Sequence, residues 1–192
     1  MKFLSRKKIK NAAIKLSDAN FHIPKFLNYS DIHSILLLFE ADDAEKNLQV
    51  KKIVQMLKAD GKKVTAIGCP RNKKLKTDFP IFENLTIVDK SQTDFFEKPR
   101  HSVFKPIEAN KFDALLDLSL NENIPLQYIA LYSNALLKIG VRKTSFPLYD
   151  FILDIDSIVA NLKTDHLPID LLYIFNQIIF YLKNIQSCDE KA

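Results

Sequence analysis

The sequence predicts a three-layer, Rossmann-like α/β domain: a mostly parallel sheet of about six strands with helices on both faces. Three observations predict it. Ile35-Leu36-Leu37-Leu38-Phe39 is an unbroken apolar run, the pattern of a parallel strand covered on both sides. An amphipathic stretch from Asp42 to Leu57, Gly61 and a second apolar run from Lys63 to Gly68 follow it, which together make a βαβ unit of ordinary length. Further short apolar runs then alternate with helical or irregular stretches to the end of the chain.

Taken in order, Phe3 to Leu16 place Leu4, Ile9, Ala12, Ala13 and Leu16 near helical spacing, which predicts a basic amphipathic helix. Pro24 stops it, and His22 to His33 reads as a linker with aromatic anchors. After the first strand, Asp42 and Glu45 have capping-box-like spacing, and Ala44, Leu48, Ile53, Val54 and Leu57 form the apolar face of the next helix. Cys69 to Asn84 holds Pro70, Pro80 and the basic run Arg71-Asn72-Lys73-Lys74-Leu75-Lys76, the composition of a loop. Leu85 to Val88 is a short third strand. In residues 91–111, Pro99 and Pro106 exclude one long helix. Phe112 to Leu118 is the fourth strand, and Pro125 opens a helix through Tyr132. Leu136 to Val141 and Tyr149 to Leu153 are the fifth and sixth strands. A last helix runs from Pro168 to about Gln186, with an apolar stripe so wide that it needs cover on more than one side. The chain divides into a basic N-terminal helix and linker (1–28), the α/β domain (29–188) and a short tail (189–192).

Among 192 residues the formal net charge is +5. Lys2, Arg6, Lys7, Lys8, Lys10 and Lys15 fall in the first 17 positions with no acid among them; with these six set aside, the other 22 basic residues fall one short of the 23 acids. The positive excess therefore belongs to the N-terminal arm. Such a run reads as a solvated helix face or, in a functional role, as a docking surface for a polyanion (RNA or anionic lipid) or an acidic protein. The arm is expected to lie outside the core and to contribute little to folding.

The basic start is not followed by an apolar segment and cleavage site of signal-peptide type, and Ile169 to Leu182 is shorter than a bilayer span and holds Asp170, Asn176 and Gln177. No transmembrane segment is expected. Cys69 and Cys188 have no CxxC or zinc-type spacing, so a reducing, cytoplasmic setting is expected and no metal.

Dinucleotide binding on this fold needs a Gly-rich turn after the first strand. Here that turn reads Glu40-Ala41-Asp42-Asp43-Ala44-Glu45, and the only glycines are Gly61, Gly68 and Gly140. No nucleotide cofactor is expected, and GxSxG and HExxH are also missing. The four histidines fall in predicted linkers and loops, where surface roles are expected, and Cys69 reads as a packed thiol.

In open α/β sheets ligands gather at the carboxyl ends of the strands, where the strand order reverses. If the first and fourth strands are neighbours there, Glu40, Asp42 and Asp43 meet Asp117, Ser119, Asn121 and Glu122. These residues form a candidate ligand-binding rim, able to hold a divalent cation or to act as a carboxylate pair; in structural terms they read as helix caps and a solvated acidic edge. Arg71, Lys73, Lys74 and Lys76 are the candidate anion-binding loop. No residue is assigned a catalytic role.

Three resemblances accompany these readings. Ile35 through Gly68, Phe112-Asp113-Ala114-Leu115-Leu116-Asp117-Leu118, Asn134-Ala135-Leu136-Leu137-Lys138-Ile139-Gly140 and the apolar C-terminal helix resemble an uncharacterised family of small bacterial α/β proteins from Bacteroidetes, a domain of unknown function. Phe112–Leu118 followed by Leu136–Gly140 is similar to the amino-terminal half of heptosyltransferase-type glycosyltransferases. Asp42, Asp43, Asp117 and Lys138 resemble, in residue type, the acidic pair, phosphoacceptor and lysine of response-regulator receiver domains, although the spacing differs. The leading expectation is a non-catalytic binding or interaction module; the alternative is a glycosyltransferase-like or phosphoacceptor activity at the acidic rim. A homodimer through the C-terminal helix, with Phe180 and Tyr181 at its interface, is the partner expected beside a polyanion.

Overall fold

The computed structural model describes residues 2–18, 22–42, 44–71, 82–141, 146, 148–155 and 170–184. Its strands are β1 (Ser34–Glu40), β2 (Lys63–Cys69), β3 (Leu85–Ile87), β4 (Phe112–Asp117), β5 (Ala135–Val141) and β6 (Phe151–Leu153), and its α-helices are α1 (Lys2–Asp18), α2 (Ala44–Ala59), α3 (His101–Glu108), α4 (Ile124–Tyr132) and α5 (Leu171–Asn184). Every strand pair is parallel, and the order is β3-β2-β1-β4-β5-β6, the doubly wound arrangement whose direction reverses between β1 and β4. The Rossmann-like reading therefore holds.

The continuous apolar strands follow from this double cover. Leu36, Leu37 and Leu38 are each fully buried, with alternate side chains entering opposite layers. Leu37 and Phe39 join Val50, Ile53, Leu57, Ile174, Phe175 and Ile178 on the α2/α5 side. Leu36, Leu38 and Leu115 join Ile9, Ile107, Leu126 and Ile129 on the α1/α3/α4 side. Removing each such leucine from water is worth about 1.5–3 kcal/mol. Gly61, at φ +76°, ends α2 in the left-handed region, donating its N–H to the Lys58 carbonyl at 3.0 Å, as a glycine after a helix does.

Several expectations change. The N-terminal helix is not an arm without buried contacts: Ser5, Ile9 and Ala13 are buried, and α1 packs along α4. Its apolar stripe is narrow, yet it meets α4, which is apolar and buried along nearly its whole length, and burial there outweighs the repulsion among its lysines. The exclusion of one long helix in residues 91–111 stands, since α3 spans only His101–Glu108; Pro106 lies near its end, where its missing N–H removes a single late bond. His101 begins that helix and does not sit in a loop. The C-terminal helix is described from Leu171, so its expected start at Pro168 lies outside the described residues. Among the described residues, no helix is long and apolar enough to cross a membrane.

Candidate functional site

The register of β1 against β4 pairs Leu38 with Asp117, which brings the carboxyl ends of the two strands together at the reversal point. Glu40 ends β1 and Asp117 ends β4. Both are almost completely buried, at 2% and 0% exposure. Glu40 and Asp117 are therefore not part of a solvated edge. They are drawn inward because each finds donors there, which an ionised buried carboxylate requires.

Glu40 accepts the backbone N–H of Asn121 at 3.0 Å and its side-chain amide at 3.2 Å. Arg71 Nε lies 3.8 Å from Glu40. Burial nevertheless raises the Glu40 pKa, against the lowering effects of Asn121 and Arg71. Asp42 accepts the Arg71 backbone N–H at 2.7 Å and Arg71 Nε at 3.0 Å, and this hydrogen bond is the main cause of the raised Arg71 pKa. Asp42 thus faces Arg71 across the β2 end, while α2 opens two residues later at Ala44.

Asp117 is held differently. One oxygen accepts the Ser119 N–H at 2.9 Å and the Ser119 hydroxyl, and the other accepts the Tyr149 hydroxyl. The Tyr149 ring packs against Gly140, where a Cβ would come within 2.7 Å of the ring. Only a residue without a side chain allows that approach. Burial, joined by Asp117, pushes the Tyr149 pKa well up. Glu122 leaves the cluster to form an ion pair with Arg6 of α1. Asn123 donates to the Cys69 carbonyl at 3.1 Å and accepts from Leu126 N–H as the α4 N-cap. Cys69 is buried, and its thiol is pushed up to about 12 by that burial, so it is inert packing.

Of the sequence-predicted site, Glu40, Asp42 and Arg71 meet, Asn121 caps Glu40, Asp117 sits with Ser119 and Tyr149, and Glu122 points to α1. Asp43, Lys73, Lys74 and Lys76 lie outside the described residues. Among the described residues, no group of three or more His, Cys, Asp or Glu side chains is arranged to hold a metal ion.

The His22–Asp150 pair and the burial of Lys138 escaped the sequence reading. His22, placed in the linker, sits 2.8 Å from Asp150, and Asp150 also accepts the Lys138 backbone N–H at 2.7 Å. Lys138 is 3% exposed, with its ammonium on the Leu131 carbonyl at 3.2 Å. Burial lowers its pKa to about 8, against the raising effect of Asp150. A signal existed for Lys138: a lysine at the centre of an otherwise apolar strand covered on both faces must be buried. None existed for His22, whose partner is 128 positions away.

The outward side of α1 is a second candidate surface. Phe3 and Leu4 are 76% and 51% exposed, and Ile14 is also exposed, along with Lys7, Lys8, Lys10 and Lys15. Beside it stands the loop closed by the Thr93–Pro99 bridge, in which Asp94 accepts the N–H groups of Phe96 and Lys98 and Glu97 adopts φ 63°. The loop projects Phe95, 69% exposed, and sets Phe96 beneath the Lys8 ammonium, 3.2 Å from the ring centre.

A family model described as a family of unknown function (DUF6913) matches residues 2–167, and the chain belongs to that family. No curated protein shows a match to it.

Proposed function

We propose that this chain is a non-catalytic interaction module that docks on an anionic lipid surface through the outward face of α1 and the adjoining Phe95 loop. The observation that carries the reading is the mixture on that face: lysines beside the exposed Phe3, Leu4 and Phe95. Lysines near an anionic leaflet are worth about 1 kcal/mol each, and apolar side chains entering the headgroup boundary add burial. A nucleic-acid groove would set polar and stacking groups between its lysines; exposed Phe3, Leu4 and Ile14 instead suit acyl chains. The carboxylates at the strand ends support the non-catalytic part, because Glu40, Asp42 and Asp117 are engaged by Asn121, Arg71, Ser119 and Tyr149, which weighs against a phosphoacceptor or sugar-transfer role.

Co-sedimentation with phosphatidylcholine vesicles, with and without phosphatidylglycerol, tests this reading. Binding is expected only with the anionic lipid and should fall as salt rises. Lys7→Glu/Lys10→Glu/Lys15→Glu should weaken it by about 100-fold or more, and Phe3→Ser/Leu4→Ser should weaken it without changing the salt dependence. No binding to anionic vesicles, or tighter binding to single-stranded RNA through the same lysines, refutes it.

A second copy is proposed to pair through α5, where Phe180 and Tyr181 are 59% and 39% exposed and the Tyr181 ring adjoins Phe151 of the edge strand β6. Light scattering should give a dimer that Phe180→Ser/Tyr181→Ser converts to a folded monomer; a monomeric wild type at high concentration removes this part.

A further inference from the structure

Beneath the acidic rim, on the α1/α4 side of the sheet, lies a cavity of about 210 Å³. Lys138 pairs with Leu115 and Gly140 with Asp117, so Lys138 lies two residues nearer the amino ends of the strands than the rim does. Apolar walls come from Ala13 and Leu16 of α1, Leu131 of α4 and Leu148. Its polar lining is Lys138, Asp150, His22 and Ser17, with Tyr149 shared with the rim.

The charges of this lining are unevenly satisfied. Asp150 is engaged by His22 Nε2 at 2.8 Å and by the Lys138 amide at 2.7 Å. The Lys138 ammonium has three donors, and the Leu131 carbonyl is its one hydrogen-bond acceptor among the described residues. Asp150 accepts from His22 and from the Lys138 amide and not from that ammonium, and a cation this deeply buried calls for an anionic partner in contact with it. Size narrows the choice: an apolar cavity of roughly 150 Å³ takes up benzene, so this one has room for about six to eight non-hydrogen atoms.

We propose that the cavity binds a short-chain aliphatic carboxylate, its carboxylate on the Lys138 ammonium and its chain against Leu16, Leu131 and Leu148. The site is independent of the lipid-docking face, because Lys7, Lys10 and Phe3 are exposed on the outside of α1 whereas Ala13 and Leu16 line the cavity from its inner side. A ligand would therefore bind whether or not the protein binds membranes.

The experiment is an NMR titration of the full chain with butyrate, hexanoate and butylamine. Butyrate or hexanoate should give saturable shifts at the amides of Leu131, Lys138 and Leu148, with a dissociation constant on the order of millimolar or tighter, given the limited affinity available to so few atoms. Butylamine should give none. Lys138→Met, which removes the ammonium but keeps an unbranched apolar stem, should weaken binding at least tenfold with the spectrum of a folded protein retained. Ser17→Phe, at an exposed position on the cavity wall, should block binding while leaving Lys138 in place. Absence of saturable shifts with either acid, equal binding by Lys138→Met, or equal shifts with butylamine overturns the proposal and leaves a cavity holding water alone.

Discussion

Replacing Lys138 by methionine should make the protein more stable. In the folded chain burial lowers the lysine from its ordinary 10.5 to about 8, so at pH 7 its charged form carries about 3 kcal/mol of unfavourable free energy relative to the unfolded chain. The loss of the hydrogen bond from the ammonium to the Leu131 carbonyl, long at 3.2 Å, costs about 1.5 kcal/mol in return, while methionine fills nearly the same space. The net expectation is a gain of about 1–2 kcal/mol at pH 7, measurable in urea as a higher midpoint with an unchanged slope. The pH dependence gives a second signature. Because the folded-state pKa is depressed, the unfolded chain binds more protons between about pH 8 and 10.5, and wild-type stability rises with pH there. Cys69 and Tyr128, both pushed up to about 12 by burial, act in the opposite sense. They hold their protons in the folded chain, so stability falls as pH rises above about 9 for the thiol and 10 for the phenol. The lysine contribution is therefore seen most cleanly between pH 8 and 9, and Lys138→Met should lack that rise. A variant less stable than wild type by more than about 1 kcal/mol, or one that keeps the rise, refutes the reasoning.

Gly140→Ala would drive a methyl group into the Tyr149 ring, within 2.8 Å of three of its atoms, and should cost about 1–3 kcal/mol by moving the ring off its seat. Restored stability in Gly140→Ala/Tyr149→Ala relative to Tyr149→Ala alone would identify that contact as the cause. Ile9→Ala should lower stability by about 2–4 kcal/mol because Ile9 is fully buried between α1 and the body; a change below about 0.5 kcal/mol in urea unfolding would mean that α1 is not docked in solution.

The fold was legible in the sequence because it rests on local periodicity. The unbroken apolar run at 35–39, the helical stripe at 44–57 and the glycine that closes it each express a backbone demand within one element, and a strand covered on both faces has to be apolar throughout. The doubly wound order then placed Glu40, Asp42, Asn121 and Asp117 at one end of the sheet, as the expected neighbours β1 and β4 required. What the sequence could not decide is where those charges point and who neutralises them. Arg71 reaches Asp42 across 29 positions, Tyr149 reaches Asp117 across 32, Asn121 reaches Glu40 across 81, and His22 reaches Asp150 across 128. Such pairings depend on strand register and crossover geometry, and a window of sequence contains neither. The same holds for α1. Its lysines read as a solvated arm, but burial of Ile9 and Ala13 against α4 is a property of two surfaces, and it exists only once the sheet has brought the second surface to the first.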